Sequence, residues 1–378
     1  MLLKSRFIEM FGNPIVNEKK WKVVLLDDAC EGIGDGLHGT PKYDDLGDYP
    51  FINGNNLIDG VIKITTSTRM VNEETYKKHY TNINNNAILI SINGTLGKLA
   101  FYNGEKLMLG KSACYCNLKS NINRDFVYSV MKTEAFAGYL DSNSTSSTIK
   151  NIGLKAMRAF RLIQPPSKMQ IEYVDFAKQI DKSKFLLQQM IEKLELLKKS
   201  RFIEMFKNSQ KVNLKDVSEI TMGQSPDSIT YNTEKDGLPF FQGKTEFKEK
   251  YIGTPSVWCN APKKIANSND ILMSVRAPVG DVNITLEKCC IGRGLASIRA
   301  KNISTEYLFF ALSLLKDEIE SKGVGSTFKA INKDIIESIQ IPSVDKKLQN
   351  DFSEFFIQID KSKAILQKQL DDLVGSNK

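Results

Sequence analysis

The peptide Leu3-Lys-Ser-Arg-Phe-Ile-Glu-Met-Phe11 returns almost unchanged as Leu197-Lys-Lys-Ser-Arg-Phe-Ile-Glu-Met-Phe206. Gln-Ile-Asp-Lys-Ser-Lys occurs at Gln179–Lys184 and again at Gln358–Lys363. A chain repeated in this way folds as two copies of one unit, because each copy carries the same local preferences and the same apolar faces to bury. The fillings between the repeated peptides differ strongly. That is the arrangement of a common scaffold holding two different inserts.

The register of the repeat can be followed in numbers. Arg6 and Arg201 are 195 residues apart, and Tyr49–Gly54 and Leu238–Gly243 are 189 apart. The spacing is 183 for Ile88–Ser91 against Ile271–Ser274 and for Gly97 against Gly280. It is 182 for Gly110-Lys111 against Gly292-Arg293, and 179 for Ser147–Lys150 against Ser326–Lys329. The fall from 195 to 179, a difference of 16, comes in steps, so the second filling is shortened in several loops. Loops diverge in this way on one fold. The unit is also circularly shifted. The first long helix runs on into Arg201–Phe206, whereas the last stops at Asp371–Val374 and its missing end sits at Leu2–Phe11. Docking of that N-terminal tail beside the C-terminal helix would close the molecule with a pseudo-two-fold axis.

Tyr173, Phe176, Ile180, Ser183, Leu187, Met190, Leu194 and Leu197 alternate by three and four residues. Phe352, Phe355, Ile359, Ser362, Leu366, Gln369 and Leu373 follow the same frame. This is a heptad seam, and the two seams superimpose position for position, so a coiled coil between the copies is expected. An amphipathic helix packed on a globule is the plainer alternative, weakened by outer faces rich in Lys, Glu and Gln. Residues 168–206 would give a helix of about 58 Å at ~1.5 Å per residue. The fillings read as mixed α/β. Strands are expected at Val23–Leu26, Ala87–Ile92, Leu99–Tyr102 and Phe160–Ile163, and at Ile271–Val275, Gly280–Ile284 and Ile339–Ile341. One helix is expected in each filling, Arg124–Leu140 and Thr305–Ser321. Pro165-Pro166 and Pro342 then stop the last strand before the long helix. The resulting division is 1–14 helical, 15–165 first filling, 166–208 central helix, 209–342 second filling and 343–378 distal helix.

The 378 residues leave room for two domains and a helical spacer. No stretch approaches the roughly 20 apolar residues that span a bilayer, and no secretory h-region opens the chain, so a cytoplasmic protein without a membrane role is expected. Cys30, Cys114, Cys116, Cys259, Cys289 and Cys290 do not recur at matched positions and form no C-x-x-C pair. With only His38 and His79 to help, they argue against zinc or a disulfide framework, and free thiols are expected. A net charge of +8 suits a polyanionic partner.

Motifs that suggest catalysis fail on inspection. Gly34-Asp-Gly-Leu-His-Gly39 matches G-x-G-x-x-G, but Thr40-Pro41 stands where a helix should open. Gly110-Lys-Ser112 resembles the end of a phosphate-binding loop, yet Glu105 occupies the required first glycine. Two histidines and no repeated Ser/His/Asp set argue against a nucleophilic hydrolase. Gln164-Pro-Pro-Ser167 is a poor match to the tetrapeptide of amino-methyltransferases. No metal-binding nuclease cluster stands out.

Taken in order, these elements carry a family resemblance. A Thr40-Pro41 or Ser225-Pro226 turn precedes a Pro-Phe strand, then Ile-Leu-x-Ser with its glycine, then Gly-Lys or Gly-Arg. Ser-Thr-x-Lys and a proline before a long helix complete the series. This order, duplicated and circularly shifted over essentially the whole chain, resembles the type I restriction–modification specificity subunit. The resemblance implies two target recognition domains of mixed short strands and helices, each reading one half of a split double-stranded DNA site. It implies two long helices that space the halves and dock two modification subunits. Adenine methylation, translocation and cleavage would then belong to the modification and restriction subunits. These would carry S-adenosylmethionine, ATP and magnesium, with no cofactor, metal or catalytic residue on this chain. A stand-alone coiled-coil DNA-binding regulator is the alternative, and it should bind duplex DNA without a partner.

Reading bases directly needs paired donors and acceptors at base edges, Arg or Lys for guanine and Asn or Gln for adenine, while phosphate contacts fix position. The candidates at matched loops are Thr40, Lys42, Asn53, Asn55, Asn93, Lys98, Lys111 and Lys150 in the first copy. In the second they are Gln224, Ser225, Gln242, Lys244, Arg276, Arg293 and Lys329. Arg276 ranks first, because it replaces Asn93 in a strand-end turn.

Overall fold

The computed structural model describes residues 2–145, 148–324 and 329–375. They divide into two compact units. One comprises residues up to Leu186 together with the end of the chain from Leu370, and the other is Leu187–Gln369. Ser147 and Ser326–Phe328, half of the two Ser-Thr-x-Lys elements, lie outside the described residues.

Each unit is built on the same four-stranded antiparallel sheet. In the first, Cys30–Asp35, Ala113–Leu118, Ala87–Ser91 and Leu99–Phe101 lie side by side in that order. In the second the order is Ser218–Met222, Leu295–Ala300, Ile271–Ser274 and Val282–Ile284. The central strands Ala87–Ser91 and Ile271–Ser274 are buried at every residue, which is why they read as continuous apolar runs rather than alternating ones. A two-residue parallel pairing recurs beside each sheet, Phe51↔Met108 and Phe240↔Cys290 among its pairs. A strand preceding each long helix pairs back to the start of its filling, Arg161–Gln164 on Lys22–Leu25 and Gln340–Pro342 on Lys211–Asn213. The helix expected at Arg124–Leu140 is two, Arg124–Met131 and Glu134–Ser142. Thr133 breaks it by donating to the Val130 carbonyl (2.7 Å) and accepting from Phe136 N (3.3 Å), a cap that a continuous helix leaves no room for. Its counterpart also divides, into Thr305–Leu314 and Lys316–Ser321.

The central helix is Ser167–Phe206 and the distal helix Lys346–Val374. Neither contains an interior Gly or Pro, and each opens with a buried glutamine folded back on the preceding turn. Gln170 Nε2 donates to the Pro165 carbonyl at 2.8 Å, and Gln349 Nε2 to the Val344 carbonyl at 2.9 Å. Within the second unit the two helices pack antiparallel. Phe206 meets Phe352 (centroids 4.9 Å apart), Phe202 meets Phe352 (5.5 Å), and Lys198 Nζ reaches Asp360 at 2.7 Å. Within the first unit the N-terminal helix Leu2–Phe11 does the same to the start of the central helix. Phe7 and Phe11 pack on Tyr173 (5.3 and 5.6 Å) and on Phe126 (6.3 and 5.1 Å). Phe206 correspondingly packs on Tyr307 at 5.4 Å. The peptide repeat is thus a repeated aromatic joint, and each buried ring in it contributes about 1.5–3 kcal/mol.

Of the positions expected in the helix seam, Tyr173, Phe352 and Ile359 are buried. Phe176, Ile180, Leu187, Leu194, Phe355, Leu366 and Leu373 are half-buried, and Met190 is 50% exposed. Phe356 and Lys198, outside the heptad frame, are buried. Phe356 packs on Phe310 of the globular part, ring centroids 4.0 Å apart, so the distal helix buries a face wider than a two-helix seam.

Candidate functional site

In each unit, loops far apart in sequence are laced into one cluster by backbone hydrogen bonds. In the first, Leu37 N donates to Leu109 O (2.8 Å) and Lys111 N to Leu37 O (3.0 Å). Gly110 N donates to Ile52 O (2.9 Å), and Ile92 N to Ser112 O (3.0 Å). Gly94 N donates to Lys150 O (2.9 Å). In the second, Gln224 N donates to Ile291 O (3.0 Å), Gly292 N to Phe241 O (2.8 Å) and Val275 N to Gly294 O (2.9 Å). Ala277 N donates to Lys329 O at 3.0 Å. The segments that carry most candidates of each copy are therefore neighbours, held by main-chain groups that tolerate a change of side chain, while Thr40 and Lys42 lie on the loop that follows Leu37.

The glycine-rich stretch after the first strand has a packing reason. A Cβ on Gly36 would lie 2.1 Å from Leu109 C and O, and one on Gly223 would lie 2.1 Å from Gly292 O. Both positions are glycine because the neighbouring loop passes directly over them. Of the three glycines in the dinucleotide-like spacing, Gly36 answers to close backbone approach and Gly34 to the Tyr115 ring, whereas Gly39 meets nothing within 4 Å.

Side chains at the cluster sort by what already holds them. Thr40, Lys42, Asn55, Lys111, Lys150, Gln224, Gln242, Arg276, Arg293 and Lys329 are exposed. Asn53, Asn93, Lys98, Ser225 and Lys244 are half-buried. Asn53 accepts from Ser112 Oγ (2.9 Å), Asn93 Nδ2 reaches Asn151 Oδ1 (3.4 Å), and Ser225 Oγ accepts from Arg293 N (3.3 Å). Lys150 forms an ion pair with Asp141. No described carboxylate pairs with Lys42, Lys111, Arg276, Arg293 or Lys329, so their charges face solvent and any approaching anion.

One matched pair has exchanged its polarity. Lys98 Nζ reaches Asn55 Oδ1 at 3.5 Å in the first unit, whereas Lys244 Nζ reaches Asp281 Oδ2 at 2.5 Å in the second. Lys316 Nζ adds a second contact to Asp281 at 2.5 Å. Burial alone would raise the Asp281 pKa, but the two ammoniums outweigh it and hold the carboxylate below its ordinary range. Asp281 and Lys316 escaped the sequence reading, because one lies on a strand edge and the other on a helix whose approach is tertiary.

The Cys289 and Cys290 thiols are not ionised at neutral pH. All six are buried, and burial pushes Cys289 to about 12 and Cys290 to about 11. Among the described residues no His, Cys, Asp and Glu cluster could hold a metal ion, and no helix is long and apolar enough to cross a membrane.

Residues 18–196 and 207–374 each match the family described as type I restriction modification DNA specificity domain. A relative from Methanocaldococcus jannaschii, provisionally described as the type I restriction enzyme MjaX specificity subunit, is 30% identical over 391 aligned positions. The alignment covers 95% of this chain and 91% of the relative. A chain from a structural study of complex assembly and conformational transition of the type I R-M system superimposes with a TM-score of 0.66 at 24% identity, covering 93% of both chains. The HsdS subunit from Thermoanaerobacter tengcongensis gives a TM-score of 0.50 at 23% identity, also covering 93% of both chains. The S subunit of a type I restriction-modification system from M. genitalium gives 0.52 at 16% identity, covering 94% of this chain and 93% of its own. These likenesses establish a mixed α/β fold of two recognition halves with packed long helices. The two family matches and the curated relative, together spanning nearly the whole chain, place it among the type I restriction–modification specificity subunits, the non-catalytic subunits that carry DNA specificity.

Proposed function

We propose that this chain reads a bipartite, asymmetric double-stranded DNA site, with residues 15–165 reading one half and 209–342 the other. The observation that carries the reading is the twice-built loop cluster. One main-chain scaffold presents Asn93, Lys98 and Lys111 in the first copy and Arg276, Asp281 and Arg293 at the matched positions of the second. A fixed frame with exchanged donors and acceptors gives two unlike half-sites. Lys42, Lys111, Arg293 and Lys329 suit phosphate contacts, which hold the register without reading sequence. Gln224 and Gln242 are exposed amides suited to adenine.

The helical segments 1–14, 166–208 and 343–378 set the distance between halves and dock two modification subunits. Phe185, Leu196 and Ile203 of the central helix are 62–63% exposed, and Ile365 of the distal helix is 61% exposed. Large apolar side chains repeated along a solvent-facing helix support a protein partner. Restriction subunits join the same complex in the cytoplasm. S-adenosylmethionine, ATP and magnesium act on those partners, and this chain contributes recognition alone.

The test exchanges residues 15–165 for those of another member of the family and maps the methylated sites in cells. One half of the site changes and the other is kept. A change in both halves, or in neither, overturns the assignment of one reader per half.

A further inference from the structure

The loop that carries Asn93 in one copy and Arg276 in the other is organised around a single hydroxyl. Ser91 is fully buried, and its Oγ donates to the Thr95 carbonyl (2.6 Å) and accepts from Lys98 N (2.8 Å). Ser274 is 2% exposed, and its Oγ donates to the Pro278 carbonyl (2.9 Å) and accepts from Asp281 N (3.0 Å). The partners stand four and seven residues on in both copies. The main chain of the same serines closes the loop. Gly97 N donates to Ser91 O and Gly280 N to Ser274 O, each at 2.9 Å.

The partners of each hydroxyl are backbone groups. A carbonyl accepts equally from threonine or proline, and an amide donates equally from lysine or aspartate. The only side chain-free position the loop requires is the glycine at its close, Gly97 with φ +76° and Gly280 with φ +88°. Between serine and glycine the sequences Ile-Asn-Gly-Thr-Leu and Val-Arg-Ala-Pro-Val share no residue, yet the hydrogen bonds are the same.

We propose that Ser91 and Ser274 are positioning residues for DNA recognition, each holding one reading loop so that its tip residue meets a base edge in fixed geometry. The inference rests on the reading of one half-site per copy. Removing the hydroxyl takes the partner from a part-buried carbonyl and a part-buried amide, and the loop relaxes to satisfy them with water. Contacts made by Asn93 or Arg276 then lose their aim, although neither serine touches DNA.

The experiment measures methylation by the complex of this chain with its modification subunits. Its substrates are duplexes carrying the site found by methylation mapping, with each base of each half replaced singly. Ser274→Ala lowers discrimination in the second half by about tenfold, the scale of one good base contact, and leaves the first half unchanged. Ser91→Ala does the converse. Ser297→Ala is the control, since Ser297 is equally buried in the same sheet but donates to Asp270 at 2.7 Å. It lowers thermal stability and leaves discrimination intact. If the alanine variant does not assemble, Ser274→Cys, similar in size and weaker in hydrogen bonding, gives a smaller loss in the same half. Unchanged discrimination in both serine variants, or an equal loss in Ser297→Ala, overturns the proposal. If the domain exchange succeeds while these outcomes occur, the half-site reading stands and only the role of the serines falls. If the exchange alters neither half, the reading itself fails.

Discussion

The two helix joints are built from nearly the same ten residues and reach the same packing by different connectivity. Leu2–Phe11 and Leu197–Phe206 differ at one position, Leu3 against Lys198. In the first unit the peptide is a separate helix at the start of the chain, and Tyr173 holds it with a hydrogen bond to the Leu3 carbonyl at 3.2 Å. In the second it is the last part of a 40-residue helix, and Lys198 lies inside a charge cluster. Its ammonium meets Asp360 at 2.7 Å and Glu195 at 3.1 Å, while Lys363 joins Glu195 at 2.8 Å and also pairs with Glu249. The aromatic packing is common to both joints, so it makes the joint. The first joint carries other charges, Arg6 to Glu172 at 3.2 Å and Lys4 to Glu134, so the charges differ where the rings do not, and they adjust the joint.

If the aromatic joint is equivalent in both units, Phe11→Ala and Phe206→Ala should each cost about 3–5 kcal/mol, the range for emptying a buried phenyl site. Urea denaturation of the two variants checks this. A much smaller cost for Phe11→Ala would mean that the free-standing helix is an accessory rather than part of a core.

The loop clusters invite the same comparison one step down in size. Arg276→Ala should weaken discrimination at one base of the second half by about 1–3 kcal/mol if the guanidinium forks onto guanine. Stability should move within about ±0.5 kcal/mol, because Arg276 is exposed. Methylation of a half-site panel at two salt concentrations separates this from a phosphate contact, which would weaken all sequences alike and flatten the salt dependence.

The single sequence difference between the joints gives the smallest effect. Lys198→Leu should cost about 1–2 kcal/mol, below the range for breaking a fully buried pair because Asp360 stays 30% exposed to water. Leu3→Lys should cost less than about 1 kcal/mol, since that residue is only half-buried. The same cluster sets a pH dependence. Burial would raise the Glu195 pKa, but Lys363 and Lys198 outweigh it and hold the carboxylate below its ordinary 4.5. A folded-state pKa below the unfolded one stabilises fully above the ordinary value and is lost as pH falls through the folded value. Acid unfolding followed below pH 4.5 should therefore be shallower in Glu195→Gln than in the parent.

The contrast also marks what was legible before any coordinates. The duplication, its circular shift, the long helices and the buried central strands are local or periodic properties, so sequence alone determined them. Their repetition at a drifting offset, together with the order of short motifs, determined the family as well. Tertiary structure decided the rest. Thr133 splits a helix that its apolar pattern would have continued, because a side-chain cap competes with the next turn. Phe356 is buried although it lies outside the heptad frame, because the distal helix packs on Phe310 of its own domain as well as on another helix, whereas Met190 within the frame is 50% exposed. The matched loop residues were legible as a list, but not which of them were already engaged. Asn53 is held by Ser112 and Lys244 by Asp281, each from a segment tens of residues away, whereas among the described residues no carboxylate pairs with Arg276. A hydrogen bond across such a separation leaves no periodic trace in the chain. What the sequence by itself determined was the frame and its repetition, and what the fold decided was which of the matched loop side chains are already engaged within it, because those contacts join segments far apart in the chain.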